Sequence, residues 1–113
     1  MLQHSRIVAA ERLRTQYSDE LDVQKQQLVA NHRNLLSAHA NLVKAFGKYE
    51  KILLPNSETI IENANRQLQL GELNYLNWTI MVNQAIQVKA EYYEVIRQMN
   101  DLEFEIEKIA NIN

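Results

Sequence analysis

The sequence predicts an all-α fold, a long antiparallel helical hairpin of coiled-coil type, and three observations carry that expectation. Two glycines and one proline in 113 residues are far too few for a loop-rich globule. Gln, Asn, Glu, Lys, Leu, Ile and Val dominate instead, and most of these either propagate helices or line an apolar seam between them. Finally, two long stretches of seven-residue apolar repeat flank Leu68–Leu76, where Gly71 offers the one place for a tight reversal.

The first repeat runs from Ile7 to Ile52 without a change of phase. Its first seam position is Ile7, Arg14, Leu21, Leu28, Leu35, Leu42 and Tyr49; its second is Ala10, Tyr17, Gln24, Asn31, Ala38, Ala45 and Ile52. Leucine at four successive first positions is a coiled-coil signature, and Gln24 and Asn31 are polar intrusions of the kind that fix register. The repeat predicts one helix over 3–54. Gly47 inside it marks a bend, a close helix contact or a tolerated surface glycine. A second apolar stripe, Val29, Leu36 and Val43 with Phe46 and Leu53 close by, suits a helix that packs on both sides.

Pro55 should interrupt the arm, because proline lacks the amide proton and pushes the preceding Leu54 away from α geometry. A kink or break is therefore expected there. Asn56 or Ser57 would cap a new helix over 56–70, with Glu58 in its first turn. The tip follows at 71–74: Gly71 can take φ > 0 just past a helix end, and Asn74 suits the cap of a helix beginning at Tyr75.

The return helix, expected over 75–110, has the cleanest pattern in the chain. Trp78, Met81, Ala85, Val88, Tyr92, Val95, Met99, Leu102, Ile106 and Ile109 follow alternating steps of three and four, and all are apolar or aromatic. A flanking stripe of Val82, Ile86, Tyr93, Ile96 and Ala110 repeats the two-sided design. Laid back from the tip, this helix reaches only the C-terminal third of the first. Residues before about Asn34 would then need a partner from outside this hairpin. The expectation is thus a single hairpin over 1–113 that is a piece of a longer protein.

Charge and chemistry exclude several functions. The net charge of −2 gives no basic surface for nucleic acid. Residues 1–54 carry +3 and residues 55–113 carry −5, a mild complementarity between antiparallel arms. There is no cysteine, hence no disulfide or thiolate metal site. No apolar run is long enough to span a membrane, and Gln3, His4, Ser5 and Arg6 interrupt any signal-peptide core. His32 and His39 lie two helical turns apart, about 10 Å, too far to share one metal ion. They read as solvated or inter-helix side chains. Met81 and Met99 sit on the seam and read as core filling rather than soft-metal ligands. Glu103, Glu105 and Glu107 diverge around a helix, so paired acid–base work is not indicated. No nucleophile elbow or phosphate loop is present. No enzyme, metal site or cofactor is expected. Trp78 reads as a seam residue, leaving Leu73, Asn74, Tyr75 and Leu76 as contact candidates.

The order Leu54 Pro55, a helix of about fifteen residues, then Leu70 Gly71 Glu72 Leu73 Asn74 Tyr75 Leu76 and a long return heptad resembles the second repeat of TolC-like outer-membrane efflux factors. The similarity covers nearly the whole chain, most specifically Leu53 to Asn100, and its wording is closest to the cation or heavy-metal efflux branch. The resemblance implies a homotrimer whose hairpins form a periplasmic α-helical barrel continuous with an outer-membrane β-barrel. It implies that the turn Gly71, Glu72, Leu73, Asn74, Tyr75 and Leu76 meets a periplasmic adaptor protein, and through it an inner-membrane pump. Some members narrow the tunnel with acidic residues after the tip glycine; the corresponding positions here look like Asn77 and Ile80. A cytoplasmic coiled-coil scaffold or dimerisation module is the alternative on the residues alone.

Overall fold

The computed structural model describes residues 2–112; Met1 and Asn113, the ends of the expected hairpin, lie outside the described residues. The order of elements is α1 (Leu2–Lys48), a π-helical turn (Tyr49–Leu53), α2 (Leu54–Gln69) and α3 (Tyr75–Ile112), with no strand among the described residues. The fold is an all-α helical hairpin. Two compact units divide the chain, one ending at Leu35 and the other beginning at Leu36. The division falls beside Asn34, where the return helix was expected to run out.

The described residues of the first unit, 2–35, are helical throughout and none of their side chains is fully buried. Three leading positions of the repeat are open, with Ile7 56%, Leu21 40% and Leu28 39% exposed. Packing of an apolar face is what ordinarily holds a helix of this length in place, and here most apolar residues face outward, Val8 and Leu35 being half-buried.

The second unit is the hairpin proper. On α3, all ten expected seam residues are buried or half-buried, and only Thr79, Val82 and Ile96 join them among the described residues. Ile86 and Tyr93 of the flanking stripe are exposed. The strict alternation of three and four therefore located the buried face residue by residue.

The first arm corrects the expectation in part. Leu35, Leu42 and Tyr49 are half-buried as expected and so is Ala45, but Ala38 and Ile52 are exposed, and His39, Phe46 and Leu53 are half-buried beside them. Ile52 is 52% exposed. The Phe46 ring stacks on Tyr92 with centroids 5.4 Å apart. Covering Phe46 and Leu53 removes more apolar area from water than covering Ala38 and Ile52 would, and the aromatic pair adds its own attraction.

No break occurs at Pro55. Leu53 and Leu54 both keep α geometry, with φ/ψ of −71/−42° and −66/−49°. The irregularity lies upstream instead: the Leu54 N–H donates to the Tyr49 carbonyl, five residues back, closing a π turn. Pro55 sits in the first turn of α2, where its missing N–H has least consequence and its ring does not oppose the helix. Neither Asn56 nor Ser57 acts as a cap. Ser57 is buried inside the helix and its Oγ donates to the Leu53 carbonyl at 2.8 Å. Gly47 makes no close helix contact, since a Cβ built there would meet nothing within 4 Å.

Backbone approaches of Cα atoms within 8 Å join α3 to α2 and to the π turn. Small residues line the α2–α3 contact: Ala64 is fully buried, Ala85 is 5% exposed and Ser57 6%. Beyond the π turn, His39, Leu42 and Phe46 are half-buried on the first arm. The contacts Asn65–Trp78, Tyr49–Glu91, Phe46–Tyr92 and His39–Glu103 fix the antiparallel register along the hairpin.

Candidate docking tip

The turn is held by its own backbone. Gly71 has φ +75°, a left-handed conformation that L side chains rarely adopt. With Gly71 so placed, its N–H donates to the Leu68 carbonyl at 3.2 Å, and the Glu72 N–H donates to the Gln67 carbonyl at 2.8 Å. This pair of bonds is the Schellman closure of a helix end, and it satisfies carbonyls the helix would otherwise leave orphaned. Leu73 N–H reaches the same Gln67 carbonyl at 3.2 Å.

Asn74 starts the return helix as expected. Its Oδ1 accepts from the Asn77 N–H at 2.7 Å, and its carbonyl takes the first intrahelical bond, from Trp78 N–H at 3.0 Å. The tip is therefore capped on both sides and does not depend on a partner for its shape.

Side chains of the six candidate residues fall into two groups. Glu72, Tyr75 and Leu76 point outward, with Tyr75 72% and Leu76 68% exposed. Leu73 is half-buried and Asn74 is committed to its cap, so these two shape the turn more than they present a surface. Gly71 supplies the conformation. Leu70, 65% exposed, belongs with the outward group and was not singled out from the sequence.

Behind this surface stands an aromatic brace. The Tyr75 and Trp78 rings stack with centroids 5.5 Å apart, and Trp78 Nε1 donates to Asn65 Oδ1 on the opposite arm at 2.8 Å. The periodicity placed Trp78 in the seam, where it lies half-buried. The partner Asn65 could not be read without the register. One polar bond thus ties α2 to α3 about one turn from the tip, and Tyr75 stacks against it.

Elsewhere the polar groups form local links. His39 Nε2 lies 3.0 Å from Glu103 Oε1, an inter-helix contact of the sort expected for that histidine. Tyr49 Oη donates to Glu91 Oε2 at 2.9 Å, and this bond raises the phenol's pKa above its ordinary value. Arg97 spans Glu94 and Asp101 along α3, and its guanidinium, with help from Gln98, holds the Glu94 carboxyl below the usual range. Among the described residues no three His, Asp or Glu side chains are placed to hold a metal ion, and no helix is long and apolar enough to cross a membrane.

Comparison with known proteins returns no match among family models, curated proteins or solved structures.

Proposed function

We infer that the chain is a periplasmic α-barrel segment of an outer-membrane efflux duct, part of a homotrimer in the full-length protein, whose tip docks an adaptor protein coupled to an inner-membrane pump. The reading rests on the resemblance of Leu53–Asn100 to TolC-like efflux factors. The observation that supports it best is the tip itself. A doubly capped turn offers Leu70, Glu72, Tyr75 and Leu76 to solvent at the end of a hairpin, on a rigid aromatic brace. Exposed apolar and aromatic side chains on a preorganised backbone are what an end-on protein contact needs. In this role the chain conducts and couples; it performs no chemistry. The two apolar sides of the hairpin, carrying Leu36, Val43 and Ile60 on one arm and Ile86 and Tyr93 on the other, suit a closed ring of helices. Heavy-metal ions are the substrate class suggested by the branch of the family it resembles.

The test is site-specific photo-crosslinking from Glu72 and Tyr75 in the full-length parent protein in cells, with the adducts identified by mass spectrometry. Adducts to a periplasmic adaptor support the duct. Adducts confined to cytoplasmic proteins remove it and leave a coiled-coil scaffold or dimerisation module in its place.

A further inference from the structure

Ile7, Tyr17, Leu21 and Leu28 of the first repeat are open, each at least 39% exposed, on a helix that buries no side chain fully. A contiguous apolar face of this kind calls for a cover in water. Its borders are charged. Just before Ile7 and Leu21 stand Arg6 and Glu20, and four residues after them stand Glu11 and Lys25. In a coiled coil these two borders lie beside the seam, and their charges set partner choice and orientation.

The two borders complement each other. In parallel helices aligned residue on residue, each position of the first border faces the position five residues on in the other helix. Arg6 then meets Glu11 and Glu20 meets Lys25, and two-fold symmetry makes each contact twice. The other two border pairs, Leu13 with Ser18 and Gln27 with His32, set no like charges together. Sliding one helix by a heptad removes both charged contacts, since Arg6 then faces Ser18 and Glu20 faces His32.

The seam agrees with that alignment. Leu21, Leu28 and Leu35 each meet their own copy. Gln24 and Asn31 do the same, and an amide both donates and accepts, so each pair satisfies itself. Arg14 is the one charged seam position of this segment, and its long stem lets the guanidinium reach water. Reversing one helix matches the same charges only when the pairing is centred near residues 15 and 16. That centre sets Gln24 against Ile7 and leaves Leu28 and Leu35 without an apolar counterpart.

We propose that residues 6–35 form a self-association site whose occupant is the same segment of a second copy of this chain, parallel and in register. Apolar seam area supplies the attraction, and the Arg6–Glu11 and Glu20–Lys25 contacts choose direction and alignment. The pairing follows from the first repeat alone; photo-crosslinking from the tip reads the duct separately.

The chain has no cysteine, so trapping by engineered thiols is direct. Ala10→Cys and Leu21→Cys variants of the 113-residue chain are mixed in equal amounts in a glutathione redox buffer, and the disulfides are counted by mass spectrometry. Facing seam positions of a coiled coil come within disulfide reach. Parallel, in-register pairing yields the two homodisulfides, about tenfold over the mixed one. An excess of the mixed disulfide, the product of a reversed helix, overturns the proposal, and so does a statistical mixture. Charge exchange is the independent reading. Glu20→Lys weakens self-association about tenfold in sedimentation equilibrium, and adding Lys25→Glu restores it. In a reversed pair the added substitution brings a further repulsion, against Glu11, and restores nothing. A dissociation constant unmoved by Glu20→Lys, or a chain monomeric at every concentration, overturns the pairing and leaves this face to a different chain.

Discussion

At Gly71 the backbone needs φ +75° and nothing lies within 4 Å of where a Cβ would stand. The cost of Gly71→Ala is therefore conformational and not steric crowding: about 1–2 kcal/mol, from forcing an L residue into the left-handed region. Asn74→Ala removes the acceptor of the Asn77 N–H and should cost about 1 kcal/mol, while Asn74→Ser or Asn74→Asp retains most of that. Urea unfolding followed by circular dichroism reads both. Tyr49 carries the pH signature. Its bond to the Glu91 carboxylate favours the neutral phenol, so the folded pKa lies above the ordinary value of 10.0. The contribution is complete below the unfolded pKa and is lost as pH rises through the folded one. In an ultraviolet phenolate titration, Tyr49 should ionise later in the wild type than in a Glu91→Gln variant. Equal titrations in the two proteins would show that the bond does not persist in solution. Both tip caps were legible in the sequence because glycine and asparagine are chosen there for backbone reasons that hold locally. The Tyr49–Glu91 and Trp78–Asn65 bonds were not, since each joins residues whose proximity depends on register.

Among the elements, α3 and the first arm differ in how far their patterns could be read. On α3 every third or fourth residue is apolar without exception, and the buried face coincides with that line. The first arm offers three neighbouring lines with comparable apolar content: Leu35, Leu42 and Tyr49; Ala38, Ala45 and Ile52; and His39, Phe46 and Leu53. A heptad count alone cannot rank them: the first and third are half-buried throughout, and the second only at Ala45. The size of Phe46 decided it. Substitution separates the lines: Phe46→Ala gives up the Tyr92 stack and half-buried apolar area, about 1–2 kcal/mol. Ile52→Ala, at a side chain 52% exposed, should change stability by less than about 0.5 kcal/mol. Comparable losses at the two positions in denaturant unfolding would return the seam to the line expected from the sequence. The π turn was hidden for a related reason. Pro55 drew attention to itself as a breaker, yet proline is tolerated in a first turn, and the irregular turn lies before it, at Tyr49–Leu53.

For the whole molecule, the apolar repeat exceeds what the chain can cover by itself. Leu13, Tyr17, Tyr93 and Phe104 are each at least 60% exposed, and the first unit leaves Ile7, Leu21 and Leu28 open. Contiguous apolar surface of this kind drives association in water. Isolated helical segments gain most of their stability from packing such a face and not from propensity, so helix content over residues 2–35 should depend on association. The expected outcome is a weight-average mass in sedimentation equilibrium that rises with loading concentration above the 13.2 kDa of one chain. Leu21→Gln combined with Leu28→Gln, two open seam positions, should lower that mass at equal concentration and reduce the helical signal with it. A chain that sediments as a monomer at every concentration, with its helical signal unchanged by the two substitutions, would mean that the first repeat is a free-standing helix. The polar intrusions Gln24 and Asn31 would then mark a solvated helix and not a register between chains, and the argument for neighbours on both sides of the hairpin would lose its support.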